Sequence, residues 1–176
     1  MTSYKVMLLG DIGVGKTSLV RRLMYGQFAT DYGPTIGVDI YSYICDPDAL
    51  AAAGQPPAAE GTELVIWDTD GNFGESIFRH AYIREASAAI IVGDATRRPT
   101  QDSMVRLADG FQDAFPGRTF AFVLNKCDML EADVPPDLPE ALASTHHLFI
   151  KTSAKTGDNV KLAFHDTAAT ILRRDF

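Results

Sequence analysis

The chain has 176 residues, 46% of them hydrophobic and 22% charged, the size and make-up of one soluble globular domain that buries a core without disulfides or a structural metal. A net charge of −7 argues against non-specific attachment to nucleic acid or anionic lipid. The two cysteines, Cys45 and Cys127, fit no zinc or redox spacing and are read as buried and unreactive in a reducing, cytoplasmic setting.

In chain order, Tyr4–Leu9 is a short apolar strand, followed by a glycine-rich turn. Lys16–Tyr25 reads as a helix, with Leu19, Val20, Leu23 and Met24 at helical spacing. Gly26–Gly37 is polar and turn-rich, and Val38–Cys45 and Glu63–Asp68 read as strands. Between those strands Asp46–Thr62 is rich in Ala, Pro and Gly, with no clear period. It is expected to be an extended loop with room for one helical turn at Ala49–Ala53. Ala88–Ala95 is a buried strand, and Gln101–Phe115 a helix with Met104, Leu107, Ala108, Phe111, Ala114 and Phe115 on one face. Phe120–Leu124 is a strand, and a Pro-rich stretch then leads into a short helix. Leu148–Ile150 is a last strand, and a helix from about Asp158 to Arg173 buries Val160, Ala163, Phe164, Ala168, Ile171 and Leu172. No apolar run is long enough for a signal peptide or a membrane span, and the ending Arg173-Arg174-Asp175-Phe176 carries no cysteine, so no intrinsic membrane anchor is expected. Buried strands alternating with helices predict an α/β fold, a mostly parallel sheet covered on both faces, with ligands beyond the carboxyl ends of the strands.

Three motifs fall on that edge. Gly10-Asp11-Ile12-Gly13-Val14-Gly15-Lys16-Thr17 fits G-x-x-x-x-G-K-[ST] between a strand and a helix. Glycines let backbone N–H groups curl around phosphate oxygens, and the helix N-terminus adds positive charge. The Lys16 ammonium neutralises phosphate, and the Thr17 hydroxyl is a hard oxygen ligand for Mg²⁺. The loop alone does not choose between ATP and GTP. Asn125-Lys126-Cys127-Asp128 follows a strand, where the Asp128 carboxylate can accept hydrogen bonds from N1–H and the 2-amino group of guanine. Adenine offers neither donor. Thr152-Ser153-Ala154-Lys155 follows the last strand, where the Ala154 N–H can reach the guanine carbonyl. The bland alternative for each is a polar loop; three in this order, each after a strand, count against it.

With Pro34-Thr35-Ile36-Gly37-Val38-Asp39 and Trp67-Asp68-Thr69 plus Gly71, the set resembles the Ras superfamily of small GTPases, most like its Rab branch, over nearly the whole chain. The resemblance implies a P-loop NTPase fold within one domain spanning residues 1–176, with a six-stranded sheet, five helices and two mobile switch segments. It implies GTP or GDP with Mg²⁺, contacted by Gly13, Val14, Gly15, Lys16, Thr17, Ser18, Phe28, Thr35, Gly71, Asn125, Lys126, Asp128, Ser153, Ala154 and Lys155. Phe28 packs on the base in that pattern, or is an ordinary core aromatic. Thr17, Thr35 and Asp68 would serve the metal, and Lys16, Gly71 and Asn72 the chemistry. An effector, an exchange factor and an activating protein would read Thr35–Asp39 and Gly74–Arg84 on a monomer.

The second switch departs from the family's usual Asp-Thr-Ala-Gly-Gln-Glu, reading Asp68-Thr69-Asp70-Gly71-Asn72-Phe73. Asn72 carries the water-orienting amide on a stem shorter by about 1.5 Å, which predicts slow hydrolysis. Asp70 brings a carboxylate toward the phosphate. It either points away, protonates, or takes a water's place on the metal. Arg79 or Arg84 as an internal arginine finger, and Glu75 as a water-orienting group, stand against plain solvated positions. Arg97-Arg98 are placed in a surface turn, and His146-His147 at a strand edge rather than on a metal. A regulatory GTPase and a guanine-nucleotide-binding interaction protein with little or no hydrolysis both remain open. A P-loop kinase lacks any lid or acceptor signature.

Overall fold

Val6-Met7-Leu8-Leu9 has no polar face because both faces of its strand are covered. The computed structural model describes residues 1–30, 33–53, 61–79 and 83–174. Its strands are β1 (Thr2–Leu9), β2 (Val38–Ile44), β3 (Thr62–Thr69), β4 (Ala88–Asp94), β5 (Thr119–Asn125) and β6 (Leu148–Lys151). Its helices are α1 (Lys16–Tyr25), α2 (Pro47–Ala52), α3 (Arg98–Ala114), α4 (Glu140–Ala143) and α5 (Val160–Leu172). The sheet order is β2-β3-β1-β4-β5-β6, with β2 antiparallel to β3 and every other pair parallel.

Alternate β1 residues feed two cores. Val6 and Leu8 pack with Leu64, Ile66, Ile90 and Val92 beneath α1 and α5, whereas Met7 and Leu9 pack with Ile91, Phe120 and Phe122 beneath α3. The expected apolar faces hold, except that Ala114 of α3 is exposed. α1 ends at Gly26, whose left-handed φ of 65° lets its N–H close on the Arg22 carbonyl.

In the connection after β2, the helical turn expected at Ala49–Ala53 is present, as a helix that begins earlier and packs on the core. Asp46 caps the Asp48 N–H, Pro47 opens α2, and Leu50 is buried in the core under α5. The Tyr43 hydroxyl shares a hydrogen bond with His165 Nε2 of α5 at 3.1 Å, and Arg173 donates to the Ala53 carbonyl at 3.3 Å. The rest of that connection, residues 54–60, lies outside the described residues. After β3, Gly71–Arg79 forms 3₁₀ turns broken at Gly74. Among the described residues no helix is long and apolar enough to cross a membrane.

Candidate nucleotide-binding site

β1 lies between β3 and β4, so the loop that leaves its carboxyl end opens at the middle of the sheet edge. A cleft of about 620 Å³ opens there, within the range of small-ligand sites. It is lined by phosphate-loop residues, by Phe28 and Thr35 from the segment before β2, by Asp70 and Gly71 after β3, and by Asn125, Lys126, Asp128, Ala154 and Lys155.

The phosphate loop turns back over Lys16, whose Nζ donates to the Gly10 carbonyl at 2.7 Å and the Asp11 carbonyl at 3.1 Å. Burial pulls this ammonium below the ordinary lysine range, against the opposing charges of Asp68, Asp11 and Asp70. Gly15 has φ 99°, and a Cβ there would stand 2.3 Å from the Asn125 amide nitrogen, so no other residue fits. A Cβ on Gly71 would stand 2.3 Å from the Ile12 nitrogen. The segment after β3 thus rests directly on the phosphate loop.

Three oxygens meet beside Lys16. Thr17 Oγ1 is 2.7 Å from Thr35 Oγ1 and donates to Asp68 Oδ2 at 2.5 Å. Burial raises the Asp68 carboxyl to about 6, despite the Thr17 hydrogen bond and the Lys16 charge. Its other oxygen, Oδ1, is buried without a hydrogen-bond partner among the described residues. Two hydroxyls and a desolvated carboxylate with an unfilled oxygen are a donor set that fits a small hard cation such as Mg²⁺.

At the other end, Asn125 ties the three motifs together. Its amide donates to the Val14 carbonyl at 3.0 Å, while its Oδ1 accepts from the Thr152 hydroxyl and the Ala154 N–H, both at 3.1 Å. Asp128 is exposed, with Oδ1 held by the Ser153 hydroxyl at 2.6 Å. Lys126, in a left-handed conformation at φ 65°, bridges the Gly13 carbonyl at 2.6 Å and Asp94 at 2.8 Å. Asp94 is buried, which alone would raise its carboxyl, but Lys126 and Thr96 hold it below the ordinary range.

Most of the residues singled out in the sequence meet at this cleft, and the exceptions are informative. Val14 is buried and contributes its carbonyl to Asn125; Ser153 is buried and orients Asp128. The Ala154 N–H, expected to face the base, is directed at Asn125 Oδ1. Phe28 is a cleft residue, 38% exposed, not a core aromatic. Asn72 is exposed and does not line the cleft. Asp70 turns its Oδ1 to the Asn72 N–H at 2.8 Å, capping the following turn. Glu75 pairs with Arg106 at 3.7 Å, and neither Arg79 nor Arg84 lines the cleft. Arg97 is more than a turn residue, because its guanidinium donates to the Ile12 carbonyl at 3.1 Å. His147 stacks on Phe120, with ring centroids 4.2 Å apart. Cys45 is buried and its thiol pushed up to about 12 by that burial, whereas Cys127 is only half-buried. Sequence reasoning missed Arg22, whose Nε donates to the Ala154 carbonyl at 2.7 Å and whose Nη2 bonds the Lys155 carbonyl. It also missed Asp94 and Met129, the latter lining the cleft at 64% exposure.

The sequence model of the Ras family matches residues 5–173. The chain belongs to the Ras family. The Ras-related protein Rab-26 of Bos taurus is 35% identical over 176 residues, 98% of this chain and 65% of that protein. The Ras-related protein Rab5A of Oryza sativa subsp. japonica is 36% identical over 172 residues, 96% of this chain and 80% of that protein. Rab-26 of Rattus norvegicus is 34% identical over 98% of this chain. The chain therefore spans about two thirds of the length of the Rab-26 proteins it matches. Against the family's usual Asp-Thr-Ala-Gly-Gln-Glu, the sequence Asp68-Thr69-Asp70-Gly71-Asn72-Phe73 is the part that differs.

Proposed function

We propose that this chain is a guanine-nucleotide switch that binds GTP and GDP with Mg²⁺ and hydrolyses GTP slowly. The observation that carries the reading is the meeting of Thr17, Thr35 and Asp68 beside the buried ammonium of Lys16, at one end of a cleft whose other end presents Asp128. Mg²⁺, when bound there, would neutralise phosphate charge and favour departure of the diphosphate. Lys16 holds the phosphates, Gly15 lets the loop close on them, and the Thr35 hydroxyl ties the first switch to the metal side of the site. Loss of the γ-phosphate removes what that hydroxyl and the Gly71 N–H would hold, so both segments are released together.

Partners are expected at those segments. Ile36, 88% exposed, stands on the first, Thr35–Asp39. The second, Gly74–Arg84, includes residues 80–82, outside the described set. The work is assigned to a cytoplasmic monomer. An effector, an exchange factor and an activating protein are the partner classes this reading requires.

A second reading, a nucleotide-binding interaction protein with almost no turnover, draws support from Asn72, which stands outside the cleft. Single-turnover hydrolysis separates the two. In the unmodified protein GTP should turn over slowly, and Asn72→Gln combined with Asp70→Ala should speed it by roughly 10- to 100-fold. GTP that survives in the unmodified protein but is cleaved by the double variant identifies the static binder. Brisk turnover in the unmodified protein would refute the slow assignment.

A further inference from the structure

Behind the Asp128 end of the cleft, one side chain spreads its hydrogen bonds over two of the walls. Arg22 stands in the last turn of α1, half-buried, and does not line the cleft itself. Its Nε donates to the Ala154 carbonyl at 2.7 Å, its Nη2 to the Lys155 carbonyl, and its Nη1 to the Gly26 carbonyl at 2.8 Å. The Arg22 backbone carbonyl accepts the Gly26 N–H at 3.0 Å, so Gly26 is gripped through both its donor and its acceptor. The aliphatic stem passes Gly157, where a Cβ would stand 3.7 Å from Arg22 Cδ.

A basic residue in the last turn of a helix ordinarily serves the helix dipole and the terminal carbonyls. The Nη1 contact with Gly26 is of that kind. The other two are not: Ala154 and Lys155 lie 132 and 133 residues along the chain, after β6. Both line the cleft, as does Phe28, which follows closely on Gly26. Among the described residues no other hydrogen bond reaches the carbonyls of Ala154 or Lys155. Ala154, 3% exposed, is therefore held from two sides, its N–H by Asn125 Oδ1 at 3.1 Å and its carbonyl by Arg22. A guanidinium presents its donors as a rigid planar fork, so one side chain can fix the spacing of several carbonyls, which the single ammonium of a lysine cannot.

We propose that Arg22 is a positioning residue for the base: it latches the Ala154–Lys155 loop to the turn that leads to Phe28, and so sets how slowly bound nucleotide leaves. Guanine lying between those walls departs only when they part, and parting them breaks charge-assisted bonds. The same latch fixes where the Ala154 N–H, the donor expected for the guanine carbonyl, stands in the cleft. Asp128 is oriented separately, by Ser153, whose own N–H and carbonyl are bonded to Asp158 and Gly157. The proposal rests on the reading of this chain as a guanine-nucleotide binder. It adds control of release at the end of the cleft away from Thr17, Thr35 and Asp68.

Dissociation of a fluorescent GDP from the full chain with Mg²⁺ tests it, in the unmodified protein, Arg22→Ala and Arg22→Lys. Arg22→Ala is expected to speed release by at least about fivefold, and Arg22→Lys to recover no more than part of that loss. Competition titrations with two analogues separate the latch from a general loosening of the fold. One is 2-aminopurine riboside diphosphate, which lacks the 6-oxo group, and the other is inosine diphosphate, which lacks the 2-amino group. In Arg22→Ala the preference for GDP over the first should shrink by at least about threefold, because the Ala154 N–H is no longer held in place, while the preference over the second, read by Asp128, stays within about twofold. A smaller acceleration in Arg22→Ala, or release at the unmodified rate in Arg22→Lys, overturns the latch. Faster release with the first preference unchanged, or with both shrinking alike, reports a loosened fold and overturns it too. In each of these cases the guanine-nucleotide reading stands. No GDP bound by the unmodified protein overturns both.

Discussion

Asp70 lines the cleft, yet its carboxylate is engaged with the backbone beside it. A carboxylate at roughly 5 Å from the γ-phosphate would be repelled by about 3 kcal/mol at an effective dielectric near 20. Its Oδ1 instead accepts the Asn72 N–H, and its own N–H donates to the Gly37 carbonyl at 2.8 Å. That bond is local, because aspartate competes well for a free backbone N–H two residues on. Asp128 is the opposite case, an exposed carboxylate held by Ser153 and aimed into the cleft. Asp128→Asn exchanges an acceptor for a donor. GDP affinity should fall by about 30-fold or more, and xanthosine diphosphate, whose 2-oxo group needs a donor, should bind the variant better than GDP. Unchanged GDP affinity in a competition titration would remove Asp128 from the base site. Lys16, Thr17 and Asp128 were legible because each works within a short local motif. Arg22 was not, since its partner Ala154 lies 132 residues away and nothing near Arg22 in the chain announces it. Arg97 reaches Ile12 across 85 residues for the same reason.

At the scale of elements, long periodic helices and buried strands were readable to within three residues, whereas α2 was anticipated only as one helical turn at Ala49–Ala53. Its six residues are too few for helical periodicity to emerge, although Asp46-Pro47 is a helix start on chemical grounds. What the sequence could not show is that α2 is fastened to α5. His165, 6% exposed, faces the Tyr43 hydroxyl and the Asp46 N–H, with Cys45 and Leu50 in the same core. Burial lowers its imidazole below the ordinary histidine value, outweighing Asp46 and Asp166, while Lys161 pushes the same way as burial. The native state therefore prefers neutral His165. Its contribution is present above pH ~6.5 and is lost as pH falls through the lowered native value. His165→Leu leaves a hydroxyl and an N–H without a partner and should cost about 1–2 kcal/mol at pH 7.5, or a Tm lower by roughly 2–8 °C. The gap between variant and unmodified protein should narrow at pH 5.5. A gap of equal size at both pH values would show that His165 acts by packing alone.

At the scale of the molecule, the two cores lie on opposite faces of one sheet and the cleft lies at its edge, so the site is assembled from loops that the cores do not pack directly. What joins those loops is polar: Asn125 from β5 to the phosphate loop, Lys126 from Gly13 to Asp94, and Arg22 from α1 to the last loop. A ligand that engages both ends of the cleft adds its own bonds across the same junctions and binds the folded chain only. Mass action then sets the gain at about 2.7 kcal/mol when nucleotide is present at 100 times its Kd. For a chain of 176 residues that is a Tm higher by about 5–10 °C. GDP or GTP with Mg²⁺ should produce this shift, and chelating the metal should remove a large part of it, because Asp68 Oδ1 is otherwise buried without a partner. ATP with Mg²⁺ presents the same phosphates but no donors for Asp128, and should leave Tm within about 1 °C at the same concentration. An equal shift with ATP would place the whole affinity in the phosphate loop and take the base-reading role away from Asp128. A shift indifferent to chelation would detach Thr17, Thr35 and Asp68 from the metal.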